Sequence, residues 1–104
     1  MTTIIRTIMQ TVRGSRKDRQ KERLETAVRK AAELYGEVEA TRLMRDYYRE
    51  AATKIDPHKD WWAFAETKHK ETEYDNDLDV LYRNANEAAA RVEAEQAKLR
   101  ELSK

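Results

Sequence analysis

The chain has 104 residues, of which 39% are charged and 39% are hydrophobic, and its formal net charge is +1. Two glycines and one proline are too few for the tight turns of an all-β fold, and the absence of cysteine excludes disulfides and thiolate metal sites. These features predict a single domain over residues 1–104, an all-α bundle of four or five helices.

The near-neutral charge hides an asymmetry along the chain. Residues 1–30 carry nine Lys/Arg against three Asp/Glu, whereas residues 31–104 carry twelve against seventeen. A basic front and an acidic back favour either an anionic partner or self-docking. No apolar run is long enough to span a membrane, and no signal-peptide cleavage site follows the first residues, so we expect a cytoplasmic protein.

The first predicted helix ends at Gly14 and Ser15, where a turn is expected. Its apolar face comprises Ile4, Ile5, Ile8, Met9 and Val12. A basic arm over residues 13–23 then begins the second helix, where positive charge opposes the helix dipole. This unfavourable placement indicates an anionic partner: nucleic acid, a lipid surface or an acidic protein. The basic arm contains Arg13, Arg16, Lys17, Arg19, Lys21 and Arg23.

Residues 31–51 are similar to a helix-turn-helix unit with a corner at Gly36. The apolar residue that normally follows the glycine directly is displaced, because Glu37 precedes Val38. Two antiparallel helices with a glycine corner are the simpler interpretation. Asp56–Pro57 should end the helix after the corner, since a residue before proline avoids helical geometry. That helix carries Arg42, Arg45 and Arg49 on one face, which could meet phosphates or bases.

Asp60 is a candidate cap for a helix that begins with Trp61 and Trp62. Neighbouring helical residues point about 100° apart, so we expect one tryptophan in the core and the other at its edge. Exposed Trp, Tyr and Arg are the preferred anchors of protein interfaces.

Two acidic features suggest metal chemistry. Glu66 and His69 have the Glu-x-x-His spacing of di-iron bundles, although such bundles need two pairs. The run over residues 73–80 alternates acids as a calcium loop does, but Val80 stands where that loop needs glycine. We therefore interpret the run as a helix start capped by Asn76 or Asp77.

The last segment has a heptad pattern, which is typical of a long helix in a coiled coil. Glu95 interrupts the series. We expect this helix to associate with a second copy and form a homodimer through Leu78, Leu81, Ala85, Val92 and Leu99.

The sequence thus predicts a non-enzymatic interaction protein without a cofactor, such as an adaptor, an inhibitor or an assembly factor, with a protein as its main partner. The alternatives are a DNA-binding regulator that uses residues 31–51 and the basic arm, and, more distantly, a metal-dependent helical-bundle enzyme. The predicted partner contacts are Arg42, Arg45, Arg49, Tyr48, Trp61 and Trp62.

Overall fold

The computed structural model describes the backbone of residues 2–104 and the side chains of residues 16–104. It contains two helices, α1 over Thr2–Thr53 and α2 over Trp61–Leu102. The all-α prediction is confirmed, but the prediction of four or five helices is wrong. The residues form two compact units: a terminal unit, which joins α1 up to Ala31 with Glu87–Lys104, and a turn unit, Ala32–Asn86.

Neither predicted break in α1 occurs. Gly14 and Ser15 lie inside the helix, and so does Gly36, whose φ is not positive. A glycine in a helix interior costs only about 1 kcal/mol relative to alanine, which a long packed helix tolerates. Because α1 continues through residues 31–51, the helix-turn-helix hairpin is wrong, and so is the simpler glycine corner.

The acidic run over residues 73–80 lies in the interior of α2, not at a helix start. Its four acids, Glu73, Asp75, Asp77 and Asp79, are all exposed. The prediction that Asn76 or Asp77 caps a helix here is therefore wrong. Three or four residues separate side chains on one face of a helix, so an alternating run does not concentrate its charge on one face.

Residues 54–60 connect the two helices, and two aspartates shape this connection. The Asp56 carboxylate accepts a hydrogen bond from the backbone N–H of His58 at 2.9 Å, as in an Asx turn. The Asp60 carboxylate accepts one from the N–H of Ala63 at 3.0 Å, so the predicted cap of α2 is confirmed. The prediction that α1 ends before Pro57 is also confirmed.

In the turn unit the two helices pack antiparallel around a small apolar core. Val38, Leu78 and Ala85 are buried together, with Leu34 and Leu81 packed against them. The direction follows from the polar pairs: Tyr35 bonds Asn86, whereas Arg49, further along α1, bonds Glu71, which is earlier in α2. Buried and half-buried positions recur at alternating spacings of four and three, the seam of a coiled coil. The positions that follow this spacing are Leu34, Val38, Thr41, Arg45, Tyr48 and Ala52 on α1, and Phe64, Thr67, Glu71, Tyr74, Leu78, Leu81 and Ala85 on α2.

The same spacing of four and three continues in the terminal unit, with smaller and more polar side chains. Ala27 and Ala31 are buried on α1, and Gln20 and Glu95 are buried as a polar pair. The Gln20 amide donates to the Glu95 carboxylate at 2.6 Å and to its backbone carbonyl at 3.0 Å. Both polar side chains are therefore satisfied where a heptad predicts apolar contact.

Candidate functional site

Both tryptophans at the start of α2 are exposed to solvent. Trp61 is 62% exposed and Trp62 is 83% exposed. The Trp61 ring lies 6.1 Å from the Phe64 ring, which is itself half-buried. The expectation that one tryptophan would enter the core is therefore wrong. The helix begins at these two residues, and the seam that packs against α1 begins only at Phe64.

Exposed large apolar side chains are concentrated in the turn unit. It holds eight of the ten in the described part of the chain, and the terminal unit holds Val28 and Leu102. Leu43, Met44 and Tyr47 form a group on α1, at helix positions that point away from the seam.

The three arginines predicted to contact a partner each bind a carboxylate of the same unit. Arg42 pairs with Glu39, one turn earlier on α1. Arg45 donates to Asp46 at 3.1 Å and to Asp75 across the seam at 3.2 Å. Hydrogen bonds to these neighbouring carboxylates raise the pKa of Arg42 and Arg45 above the ordinary value.

Arg49 reaches a buried carboxylate of α2. Its Nε lies 3.3 Å from Glu71 Oε2, and Lys68 Nζ lies 2.8 Å from Glu71 Oε1. The hydrogen bond from Lys68, followed by that from Arg49, lowers the pKa of Glu71 despite its burial. Arg45 and Arg49 therefore link the two helices, whereas Arg42 pairs within α1.

Tyr48 lies in the seam as part of an aromatic cluster. Its ring stacks on Tyr74 at a centroid distance of 5.7 Å, and Tyr47 meets its edge at 5.1 Å. Lys70 lies over the same ring at 5.5 Å, in cation–π range. Tyr48 is half-buried, so of the four residues in this cluster Tyr47 offers the most exposed ring to a partner.

The basic arm forms part of the interior of α1 and not a helix start, so the proposed conflict with the helix dipole is wrong. Arg13 lies outside the residues whose side chains are described. The other five, Arg16, Lys17, Arg19, Lys21 and Arg23, are exposed.

Part of this arm borders two clefts in the terminal unit. One, of about 450 Å³, is lined by Arg19, Arg23, Lys30 and Arg91, with Glu22 and Ala27. The other, of about 400 Å³, is lined by Arg16, Arg19, Gln20, Arg23 and Leu102. We name four of these residues the cationic flank: Arg16, Arg23, Lys30 and Arg91. The sequence interpretation missed Lys30 and Arg91, although the seven-residue spacing of Arg16, Arg23 and Lys30 was visible.

The predicted metal pair has a different arrangement. His69 Nε2 lies 2.9 Å from the Glu73 carboxylate, its neighbour one turn later, and Glu66 is exposed. Among residues 16–104 no cluster of three or more His, Asp or Glu side chains is placed to hold a metal ion.

The heptad residues predicted for self-association lie on the seam within the chain. Leu78 and Ala85 are buried, and Leu81, Val92 and Leu99 are half-buried. Glu95, which interrupted the pattern, is the buried partner of Gln20. Self-association through these residues stays a prediction, and it would require a second copy to replace α1 against Leu78 and Ala85.

Over the described residues, neither α1 nor α2 has an apolar stretch of membrane-spanning length. Comparisons of the chain with protein-family models, with curated proteins and with solved structures found no match.

Proposed function

We propose that this chain is a non-enzymatic interaction protein, an adaptor, inhibitor or assembly factor, that binds a protein partner through the turn unit. The observation that carries the proposal is the exposure of Trp61 and Trp62 at the first two positions of α2. Tryptophan is the most enriched residue type among interface hot spots. Two adjacent exposed tryptophans on a capped helix end are rigid anchors, because the Asp60 cap fixes the backbone that carries them.

The charge of the turn unit specifies the rim of the partner's site. Ala32–Asn86 carries eight Lys/Arg and thirteen Asp/Glu, a net charge of −5. A partner with an apolar pocket for the indole rings and a basic rim fits this unit best. We propose a cytoplasmic location for this function, with which a chain without cysteine is compatible.

The test is affinity capture from nuclease-treated lysate of the native cells, followed by mass spectrometry. The bait is the full chain or its double variant Trp61→Ala/Trp62→Ala. The matched control removes the two exposed apolar side chains of the terminal unit, Val28→Ala/Leu102→Ala. We expect one or more proteins to be lost with the tryptophan variant and kept with the control. If both variants capture the same proteins as the full chain, the tryptophans are not the anchor.

A further inference from the structure

We propose that the cationic flank of the terminal unit binds the phosphodiester backbone of nucleic acid. This inference goes beyond the proposed protein-binding function, because it concerns the other unit and another class of ligand. The terminal unit carries thirteen Lys/Arg and seven Asp/Glu, a net charge of +6. A nucleic acid backbone is the ligand that such an excess recognises without reading sequence.

Three of the cations of α1 lie on one line along the helix. Arg16, Arg23 and Lys30 are seven residues apart, so they stand on one edge of the helix, beside the seam. At 1.5 Å per residue the line spans about 21 Å. One strand of duplex DNA places a phosphate at about every 3.4 Å of axis, so about six phosphates pass along this length. A line of this kind suits a continuous polyanion better than a single phosphate group.

The helix α2 adds a cation to the opposite wall of the cleft. Arg91 lines the cleft of about 450 Å³ together with Arg23 and Lys30. Arg91 is exposed, and its Nε lies 4.0 Å from the buried Glu95 carboxylate. Guanidinium groups bind phosphate oxygens in a bidentate fashion, which makes arginine the preferred residue for this role. One acid, Glu22, also lines the cleft and moderates its charge.

The ion pairing of the flank on α1 differs from that of the three arginines predicted as partner contacts in the turn unit. There, Arg42, Arg45 and Arg49 each have a carboxylate partner. Within residues 16–104, by contrast, Arg16, Arg23 and Lys30 form no ion pair. A bound polyanion would place negative charge beside all three cations at once. The cleft has no aromatic side chain on its wall, so we expect binding to the backbone without base stacking.

The test is fluorescence anisotropy of the full chain with labelled duplex DNA, single-stranded RNA and a polyglutamate peptide over a salt series. We expect binding to both nucleic acids. For the duplex, the logarithm of the affinity should fall against the logarithm of the salt concentration with a slope of roughly 4, which is about 0.9 for each phosphate neutralised. The variant Arg23→Glu/Lys30→Glu should lose at least about tenfold in affinity, since two phosphate contacts are reversed.

The matched control makes the same charge change in the turn unit, Arg83→Glu/Lys59→Glu, at two exposed positions. We expect this control to lose less than half as much binding free energy as Arg23→Glu/Lys30→Glu loses. Circular dichroism checks the fold, and Arg23→Gln/Lys30→Gln replaces the reversal if that variant unfolds. Three results would overturn the proposal: no binding at low salt, equal losses in both variants, or tighter binding of polyglutamate than of nucleic acid. Trp62→Ala should leave nucleic acid binding unchanged, which separates this inference from the protein-binding function.

Discussion

The side-chain amide of Gln20 donates to two oxygens of Glu95, its carboxylate and its backbone carbonyl, at 2.6 and 3.0 Å. This polar pair occupies the seam of the terminal unit, where coiled coils normally place apolar side chains. Lys98 and Arg91 also lie 3.6 and 4.0 Å from the Glu95 carboxylate. Hydrogen bonding by Gln20, the largest influence, and these two cations lower the pKa of Glu95.

Gln20→Leu should lower the melting temperature by several degrees, because it leaves the Glu95 carboxylate beside an apolar side chain. Gln20→Leu/Glu95→Leu should melt higher than Gln20→Leu, since an apolar pair of similar volume leaves no buried charge. Thermal unfolding followed by circular dichroism measures both. Gln96→Leu, at an exposed position of α2, serves as the control. A double variant that melts below Gln20→Leu would contradict this expectation and would show that Glu95 stabilises the chain without Gln20, through Lys98 and Arg91.

Gly36→Ala should raise the free energy of unfolding by about 0.5–1 kcal/mol, because glycine loses more backbone conformational freedom than alanine does when the helix forms. A Cβ at this position meets nothing within 4 Å, so no clash offsets the gain. Chemical denaturation measures the change. The reverse substitution in the same helix, Ala40→Gly, should lower the free energy of unfolding by a similar amount. A destabilised Gly36→Ala variant would indicate a bend or a contact at this glycine.

Leu78→Ala should lower the free energy of unfolding by about 2–5 kcal/mol, the usual range for a buried leucine. Leu78 is 3% exposed and packs with Val38 and Ala85 in the core of the turn unit. Leu43→Ala is the matched control, because Leu43 is 59% exposed, and it should change stability by less than about 0.5 kcal/mol. Equal effects of the two substitutions would contradict the assignment of the seam.

Stability should fall as the solution is acidified, in part through Glu71 and Glu95. Their pKa values are lowered in the folded chain from the ordinary 4.5, so the unfolded chain takes up protons first as the pH decreases. Their contribution is complete above the ordinary pKa and is lost as the pH falls through the lowered folded values. Melting curves between about pH 3 and pH 7 should therefore decline less steeply for Glu71→Gln than for the native chain. Glu66→Gln, at an exposed position, should follow the native curve.

The helical class, the ends of the connection and the seam of α2 from Leu78 onward could be predicted from the sequence. Asp60 and Asp56–Pro57 are strong local signals, and Leu78, Ala85, Val92 and Leu99 repeat every seven residues. The helix count was wrong because Gly14 and Gly36 were given more weight than their helix propensity justifies. A break at either glycine would have needed further turn chemistry, such as a proline nearby.

The seam of α1 was missed because many of its positions are polar or small. Gln20, Thr41, Arg45 and Tyr48 occupy places where a search for Leu and Val finds nothing. The spacing of four and three is nevertheless complete from Gln20 to Ala52 when polar residues are allowed. The pairing of Arg45 with Asp75 could not be predicted either, because the two residues are thirty apart in sequence and their contact depends on the register of the two helices.

The connection over residues 54–60 also sets an order in which contacts can form. Arg49 and Glu71 are separated by 22 residues, Tyr35 and Asn86 by 51, and Gln20 and Glu95 by 75. Because loop-closure entropy grows with separation, we expect the chain to close from this connection outward. Pulse-labelled hydrogen exchange should then protect Leu78 before Ala27. The cationic flank would be completed last, so a partly folded chain would form the turn unit around its tryptophan pair before the cleft that we propose for phosphate binding.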